Sequence, residues 1–239
     1  MPMRIHRALA RAGVASRRSA EELVAAGRVL VNGTAASIGQ IVDLDHDAIT
    51  VDGRPIAAPV PDQWIVLNKP AGVMTTRADP RGRPTVFDLV PRIPGLTYVG
   101  RLDLLTEGVL LFTTDGALAH ELLHPRAGLE RAYTATVTGD APAAVRAARR
   151  GVMLDDGPVR VADAEASPIG QGRWAFTVTI TEGRRREVRR LCKALGLFVE
   201  RLVRIRFGPV TIGALPVGRT RPVTARELEL LKALAHAPA

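Results

Sequence analysis

The stretch AAPVPDQ, residues 57–63, constrains the fold of this chain most, because it separates two parts with different sequence patterns. It contains two prolines and has neither helical nor strand periodicity, which is typical of a linker. Short helical patterns come before it, and strand patterns dominate after it. For a chain of 239 residues, we therefore predict two domains, residues 1–56 and 64–239, joined by a linker at 57–63.

The first domain is predicted to contain two short helices and a small sheet. Helical patterns at residues 4–13 and 19–27 end at glycines, and Ser19 and Glu22 have the spacing of a capping box. Tight hairpin turns are predicted at the dipeptides Asn32-Gly33 and Asp52-Gly53.

The second domain is predicted to be α+β, with a mostly antiparallel mixed sheet flanked by helices. Strand patterns are found at residues 63–72, 108–116, 131–139, 173–183 and 199–208. Helices are predicted at residues 116–123, 142–150, 183–195 and 225–235, the last with a capping box of Thr224 and Glu227. The last strand alternates apolar residues with arginines, so we expect Arg204 on the face opposite to Val203 and Ile205.

The charge of the chain indicates a polyanionic partner. Its 33 basic and 24 acidic residues give a formal net charge of +9, and nucleic acid is the first candidate for such a surplus. Nearly all of the basic residues are arginines, which suit phosphate binding and base stacking.

The sequence contains no signature of a metal or cofactor site. Of the histidines, only His120 and His124 lie one helical turn apart, and the single cysteine, Cys192, offers no ligand pair. Neither a glycine-rich nucleotide-binding pattern nor a Gly-x-Ser-x-Gly nucleophile elbow is present. We therefore expect no metal and no cofactor, and a packing role for Cys192.

The expected location is the cytoplasm. The N-terminus lacks the pattern of a signal peptide, and no apolar run approaches the roughly 20 residues of a membrane span. A single cysteine also fits a reducing compartment. No long apolar helix face is left over for a partner subunit, so we expect a monomer without membrane contact.

One carboxylate, Asp103, lies among leucines in GRLDLLTEGVLLFTTDG, residues 100–116, directly before a predicted buried strand. A carboxylate in apolar surroundings tends to lose its charge unless a guanidinium lies close by. The predicted helix at 183–195 carries Arg189 at the edge of its apolar stripe, from where it could reach inward. From the residues alone, two interpretations stay open: Asp103 as an ionised nucleophile or base, and Asp103 as an ordinary turn residue.

Four segments in order, NKPAGVMTT, GRLDLLTEGVLLFTTDG, ERAYTATVTG and ITEGRRREVRRL, resemble the RsuA/RluB branch of the RNA pseudouridine synthases. Residues 3–52 resemble the αL-type RNA-binding domain that precedes the catalytic domain in that branch, so the resemblance spans nearly the whole chain. Glu187 departs from the pattern, since much of the superfamily has glutamine there. The resemblance implies the pseudouridine synthase fold and a cofactor-free isomerisation of uridine to pseudouridine in ribosomal RNA.

The resemblance also implies roles for individual residues. Asp103 is expected to be the catalytic aspartate, and Arg189 is expected to form an ion pair with it. Tyr133 is expected to stack on the target uracil and to take part in proton removal. Arg101 is expected to act in base flipping or in holding the RNA backbone, and Leu191 is expected to line the base pocket.

The remaining expected roles are RNA binding and support. Lys69 and Pro70 match a motif that the resemblance marks as mainly structural. The arginines expected to hold structured RNA through its phosphates are Arg4, Arg7, Arg17 and Arg18 of the first domain. His6, on the first helix, is expected to be a surface residue.

Two other functions stay open from the sequence. One is a non-catalytic RNA-binding or ribosome-assembly factor, and the other is a synthase that acts on small-subunit (16S) rRNA. The stretch EGRRREVRRL favours the large-subunit (23S) type. The expected partner is ribosomal RNA or a precursor ribosomal particle. A metal-dependent nuclease would need clustered acidic ligands, which the sequence does not show.

Overall fold

The computed structural model describes residues 2–57 and 61–236, so residues 58–60 of the predicted linker lie outside the described residues. The chain forms two compact units. One unit comprises the residues up to Gln63 together with Pro91–Thr97 and Thr113–Asp115, and the other comprises the rest. The domain boundaries derived from the sequence stay a prediction.

The first unit contains two helices and two small sheets. Its elements are β1 (Pro2–Arg4), α1 (Ile5–Arg11), α2 (Arg17–Ala25), β2 (Val29–Val31), β3 (Thr34–Ala35), β4 (Ile41–Asp43), β5 (Ile49–Val51) and β6 (Arg54–Pro55). One sheet has the order β3-β2-β5-β6, and β1 pairs with β4. Both predicted hairpins are confirmed, because Asn32-Gly33 and Asp52-Gly53 have the positive φ angles, 52° to 81°, that a type I′ turn requires.

The core of the first unit lies between the helices and the sheets. Ile5, Ala8 and Leu9 of α1 pack in one cluster with Ala20 and Val24 of α2 and with valines of the sheet. The spacing of these residues, three or four apart on each helix, is what forms one apolar side.

The predicted start of α2 at Ser19 is wrong. The helix begins at Arg17, and the Ser16 side chain accepts a hydrogen bond from the Ser19 amide at 3.2 Å. A serine in extended conformation just before the first helical residue is the preferred N-cap, so the earlier of the two serines caps the helix.

His6 is buried, not at the surface as expected. Only 6% of the residue is exposed, because α1 turns this side toward α2. Its ring nitrogens lie 3.2 Å from a Glu21 carboxylate oxygen and 3.0 Å from an Arg17 guanidinium nitrogen. Burial and the nearby Arg17 lower the pKa of His6.

The second unit is built on a mixed sheet. Its elements are β7 (Trp64–Lys69), β8 (Thr97–Val99), β9 (Thr106–Thr113), α3 (Gly116–Leu123), β10 (Arg131–Thr138), α4 (Ala141–Arg150), β11 (Val152–Leu154), β12 (Gly157–Val159), β13 (Val161–Gly170), β14 (Arg173–Ile180), α5 (Glu187–Ala194), β15 (Phe198–Phe207), β16 (Val210–Thr211), β17 (Thr220–Pro222) and α6 (Ala225–Ala235). Within the described residues the sheet has nine strands, with the main order β13-β14-β10-β15-β9-β7-β17. β9 and β15 run parallel, whereas β10 runs antiparallel to both β14 and β15. The α+β class with a mostly antiparallel mixed sheet is therefore confirmed.

The apolar core of this unit lies between the sheet and helices α3 and α6. Strand residues Val66, Val109 and Leu111 pack in one cluster with Leu122 of α3 and Leu231 of α6. The capping box of Thr224 and Glu227 is present at the start of α6, as predicted. No helix of the described residues is long and apolar enough to span a membrane.

Helix α5 is shorter than predicted. The expected helix began at residue 183, but α5 begins at Glu187, because Arg186 has a left-handed conformation with φ 49°. Residues 183–186 therefore form a loop that leads into α5, and three of its four residues are arginines.

Candidate active site

Asp103 lies in the loop between β8 and β9 and is partly exposed. Within the part of the chain that the structure describes, no side chain forms a hydrogen bond or an ion pair with its carboxylate. The backbone carbonyls of Leu102, Asp103, Leu104 and Leu105, in the same loop, each accept a hydrogen bond from a side chain outside the loop. The loop therefore fixes the position of Asp103 while the carboxylate stays free.

Lys69, at the end of β7, supplies most of this support. Its side chain is fully buried, and Nζ donates hydrogen bonds to the carbonyl oxygens of Pro70 and Thr106, at 3.0 and 2.9 Å. The carbonyl oxygens of Asp103 and Leu104 both lie 3.2 Å from the same nitrogen. Burial lowers the pKa of Lys69 to about 8, against the opposing effect of the acidic Glu107 and Asp103. Through these hydrogen bonds Lys69 holds the backbone of the Asp103 loop, which is the kind of structural role predicted for it.

Two further contacts hold the loop. The Thr75 hydroxyl donates to the Leu102 carbonyl at 2.8 Å, and the Gly72 amide donates to the Leu104 carbonyl at 2.9 Å. Both donors come from the turn after β7, so the segment NKPAGVMTT and the segment GRLDLLTEG form one hydrogen-bonded structure.

The order of the strands in the sheet places Asp103 and Tyr133 along the same cleft. β15 lies between β9 and β10, and its Arg204 pairs with Gly108 on one side and with Tyr133 on the other. Two strand spacings, about 10 Å in all, therefore separate the strand that follows Asp103 from the strand that carries Tyr133. A Cβ atom at Gly108 would overlap the Arg204 carbonyl oxygen and lie 2.7 Å from its amide nitrogen, so only glycine fits there.

These residues line an open cleft of about 670 Å³. Of the predicted site residues, Asp103, Arg101, Tyr133 and Arg189 all line it. Leu191 does not: it is fully buried in the core under α5, because it faces away from the cleft side of the helix. The apolar part of the cleft lining comes instead from Met74, Leu102, Leu104, Leu123, Ile180, Val188, Leu202 and Phe207.

Arg189 points into the cleft but does not pair with Asp103 in this structure. Its guanidinium donates to the Leu105 carbonyl at 3.0 Å, and no ion pair between Arg189 and Asp103 is formed among the described residues. Arg189 thus contacts the Asp103 loop through the backbone, two residues after the carboxylate.

The rim of the cleft carries arginines without acidic partners. Arg101, Arg185 and Arg186 are exposed, and no carboxylate of the described residues lies within ion-pair distance of them. Arg184, in the same loop, behaves differently: it contacts Glu187 at 3.0 Å and Asp156 at 2.8 Å, and so holds the loop in place. The loop therefore has one structural arginine and two that are free to bind an anion.

Three buried charges in the cleft were missed by the sequence analysis. Arg204 is 2% exposed, donates from Nε to the Val109 carbonyl at 2.7 Å, and lies 4.7 Å from the ring centre of Phe207. Its Nη2 is buried without a hydrogen-bond partner. Arg204 lies on the side of β15 opposite to Val203 and Ile205, as expected, but this side is the more buried one, because β15 is a central strand and the arginine faces the cleft.

The other two buried charges are Arg131 and Glu187. Arg131 donates to the Leu129 carbonyl at 2.8 Å, and burial lowers its pKa. Glu187 accepts hydrogen bonds from the backbone and side chain of Arg184, and burial raises its pKa. In the sequence, Arg131 is marked only by its position in ERAYTATVTG, and Glu187 by its position in ITEGRRREVRRL and by its departure from the glutamine of much of the superfamily.

Other candidate groups lie away from this chemistry. Cys192 is buried as predicted, and burial raises the pKa of its thiol to about 12, so it is no nucleophile. Across residues 2–57 and 61–236, no group of three or more His, Cys, Asp or Glu side chains could hold a metal ion. In the first unit, the four arginines predicted to bind RNA are all exposed: Arg4, Arg7, Arg17 and Arg18.

Comparisons with known families cover both units. The RNA pseudouridylate synthase family matches residues 63–194, and the S4 domain family matches residues 3–49. A crystal structure of a pseudouridylate synthase matches with a TM-score of 0.64 and 26% identity, over 96% of this chain and 99% of that chain.

Curated relatives carry related names. The ribosomal large subunit pseudouridine synthase B of Pseudomonas aeruginosa is 47% identical over 95% of this chain, which spans 61% of that protein's length. The protein of the same name from Escherichia coli O157:H7 is 41% identical over 100% of this chain and 85% of its own length. An uncharacterized RNA pseudouridine synthase of Mycobacterium tuberculosis is 41% identical over 95% of this chain and 91% of its own length.

Proposed function

We propose, because this chain belongs to the RNA pseudouridylate synthase family, that it isomerises uridine to pseudouridine in ribosomal RNA and that Asp103 is the catalytic group. In this reaction the bond between ribose carbon 1 and uracil nitrogen 1 breaks. A bond from the same ribose carbon to uracil carbon 5 forms, carbon 5 loses its proton, and nitrogen 1 ends protonated. The products have the same atoms as the substrate.

The observation that carries the proposal is the state of Asp103. Its loop is fixed by Lys69, Thr75 and Gly72, yet its carboxylate has no partner among the described residues. A fixed carboxylate in an arginine-lined cleft is prepared to act as a nucleophile or base, because no bond within the protein has to break first.

The cleft also suits a base that has left the helical stack. Moving a base out of the stack costs a few kcal/mol, which contacts in the cleft must offset. Tyr133, 8% exposed, offers a ring at the cleft wall for stacking on the uracil. The exposed Arg101, Arg185 and Arg186 offer positive charge for the phosphates on either side.

The first unit supplies a second RNA contact in this proposal. Its exposed arginines on β1, α1 and α2 provide phosphate contacts that do not depend on the sequence of the RNA. The match to the S4 domain family supports this role.

The proposed target is a uridine of large-subunit rRNA. The names of the Pseudomonas and Escherichia relatives support it, and so does the stretch EGRRREVRRL. Mapping of pseudouridines in the rRNA of a deletion strain tests this choice. We expect the loss of modification in 23S rRNA, and a loss confined to 16S rRNA would contradict it.

Tritium release from rRNA labelled at carbon 5 of uridine tests the catalytic role. We expect Asp103→Asn to abolish release, because the amide cannot replace an ionised carboxylate. The matched control is Asp155→Asn, at an exposed turn between β11 and β12, which should keep full activity. Turnover that survives in Asp103→Asn would remove Asp103 from its role. Tight RNA binding by the wild type without any uridine isomer would instead indicate a non-catalytic RNA-binding factor.

A further inference from the structure

A second depression adjoins the cleft at the C-terminal end of α5. It has a volume of about 460 Å³ and is lined by Arg189, Lys193, Gly196, Leu197, Phe198 and Val199. We name it the Phe198 groove. Because Arg189 lines both depressions, the groove continues the cleft that holds Asp103.

The groove displays an aromatic ring. Phe198 is 76% exposed, the most exposed large apolar side chain of the described residues, whereas Phe112, Phe176 and Phe207 are fully buried. The exposure follows from the local structure. The Leu197 amide donates to the Cys192 carbonyl at 2.8 Å and the Leu197 side chain is buried, so the next residue, at the start of β15, faces outward.

The groove also has unpaired positive charge. Lys193 is exposed and has no carboxylate partner within the described ranges, and the Arg189 guanidinium bonds only to a backbone carbonyl. The acidic side chains nearby contact arginines: Glu200, on β15 itself, lies 4.0 Å from Arg173, and Glu107, on the neighbouring β9, lies 2.8 Å from Arg201. An exposed ring beside two cations that have no carboxylate partner is the combination that holds single-stranded nucleic acid, by stacking on the base and by attraction of the phosphate.

We propose that the Phe198 groove binds one unpaired nucleobase of the RNA strand next to the target uridine. The base stacks on Phe198, and Lys193 contacts the adjoining phosphate. This inference rests on the proposed function, since the groove matters because it adjoins the cleft. An apolar protein partner would cover the ring but would leave both cations without a counter-charge, so RNA fits the groove better.

Binding and turnover of Phe198 variants test the proposal, with unmodified large-subunit rRNA transcribed in vitro and with a short oligouridine. We expect Phe198→Ala and Phe198→Leu to bind both RNAs roughly 5- to 150-fold more weakly, because stacking on a ring is lost in each. Phe198→Tyr should stay within about threefold of the wild type. Under saturating RNA, kcat should be unchanged, since the groove does not contact the reacting base.

Two controls separate stacking from other effects. Ile169→Ala, at an exposed apolar residue of β13 outside the cleft and the groove, should leave RNA affinity unchanged. Lys193→Gln should lower the salt dependence of RNA binding by about 0.7 to 0.9 in log–log slope, as expected for one phosphate contact, whereas Phe198→Ala should not change the slope.

The proposal has clear contrary outcomes. Phe198→Leu binding as tightly as the wild type would exclude stacking. Weakened binding to ribosomal particles, with protein-free RNA unaffected, would indicate a ribosomal protein in the groove. The failure of the proposed function is distinguishable: oligouridine affinity would still depend on an aromatic residue at 198, but no rRNA would gain pseudouridine.

Discussion

The basic side chains predicted to bind RNA in the first unit are placed differently from three basic side chains around the cleft of the second unit. In the first unit, Arg4, Arg7, Arg17 and Arg18 are exposed. In the second unit, Lys69, Arg131 and Arg204 are buried around the cleft and bond to backbone carbonyls. Exposed cations attract a polyanion at little structural cost, whereas buried cations are expensive unless bonded and serve to fix geometry. Under the proposed function, the exposed arginines of the first unit help to capture RNA, and the buried cations of the second unit position the chemistry.

The largest effect is expected for Lys69→Met. The substitution leaves up to four backbone carbonyls without their buried donor, each at a cost of about 1–3 kcal/mol. We expect a loss of several kcal/mol in the free energy of unfolding and a disordered Asp103 loop, measured by denaturant unfolding and tritium release. Lys232→Met, on an exposed side of α6, is the control. Equal stability of the two variants would contradict the role of Lys69.

The same comparison predicts a pH dependence. The pKa of Lys69 is about 8 in the folded protein, below the ordinary lysine value of 10.5, so the folded state binds fewer protons between these values. Stability of the wild type relative to Lys69→Met should therefore rise by up to about 2–3 kcal/mol as the pH rises from 8 to 10.5. Unfolding titrations at fixed pH measure this difference, and a flat or falling difference would contradict it.

The next effect is expected for Arg204→Met. Removing a buried donor from the cleft should lower kcat about 100-fold, as for other fixed donors near a reacting group. Arg206→Met is the matched control, because Arg206 lies on the same strand outside the cleft and pairs with Glu130. Single-turnover kinetics at saturating RNA measures the step. A change in KM alone, with kcat unchanged, would indicate that Arg204 contributes to RNA binding and not to the chemical step.

A smaller and different effect is expected when the exposed arginines of the first unit are replaced. The fourfold glutamine variant at positions 4, 7, 17 and 18 should bind RNA at least tenfold more weakly at 0.1 M salt, with kcat unchanged. The slope of the logarithm of the binding constant against the logarithm of the salt concentration should fall in magnitude by up to about 3–4, because each of the four arginines can lose one phosphate contact. The control for net charge is a fourfold glutamine variant at exposed arginines of the second unit outside the cleft, Arg126, Arg146, Arg150 and Arg226. A loss of kcat in the fourfold glutamine variant of the first unit would contradict the assignment of RNA binding to that unit and of the chemical step to the second.

The smallest effect concerns the helix that carries Arg17 and Arg18. Ser16→Ala should cost about 1 kcal/mol of unfolding free energy, since it removes the N-cap of α2. Ser19→Ala should cost less than about 0.5 kcal/mol. Thermal unfolding measures both variants. A larger loss of stability in Ser19→Ala than in Ser16→Ala would indicate that Ser19 is the cap.

Much of the local structure was predictable from the sequence. Asn-Gly and Asp-Gly pairs have one favourable hairpin geometry, so both turns of the first unit were predicted correctly. The capping box of α6 and the helix at 116–123 follow from short-range preferences in the same way. The prediction of Ser19 as the cap failed because Ser16, three residues earlier, precedes the same helical pattern, and only the chain direction at the helix start shows which serine is the cap.

The sequence by itself determined the order of the main strands and helices, the α+β class, the family resemblance and the choice of Asp103 as the candidate catalytic group. These depend on spacing along the chain, which is fully visible in the sequence. Only the tertiary structure decided that Arg204 and His6 are buried, that Leu202 and not Leu191 lines the cleft, and that Arg189 bonds to Leu105. Each of these depends on which element packs against which. The alternating pattern of β15 shows that the strand has two faces but not which of them is buried. Arg204 is buried because β15 lies in the centre of the sheet beside Gly108, and at the edge of a sheet the same pattern would leave the arginine exposed.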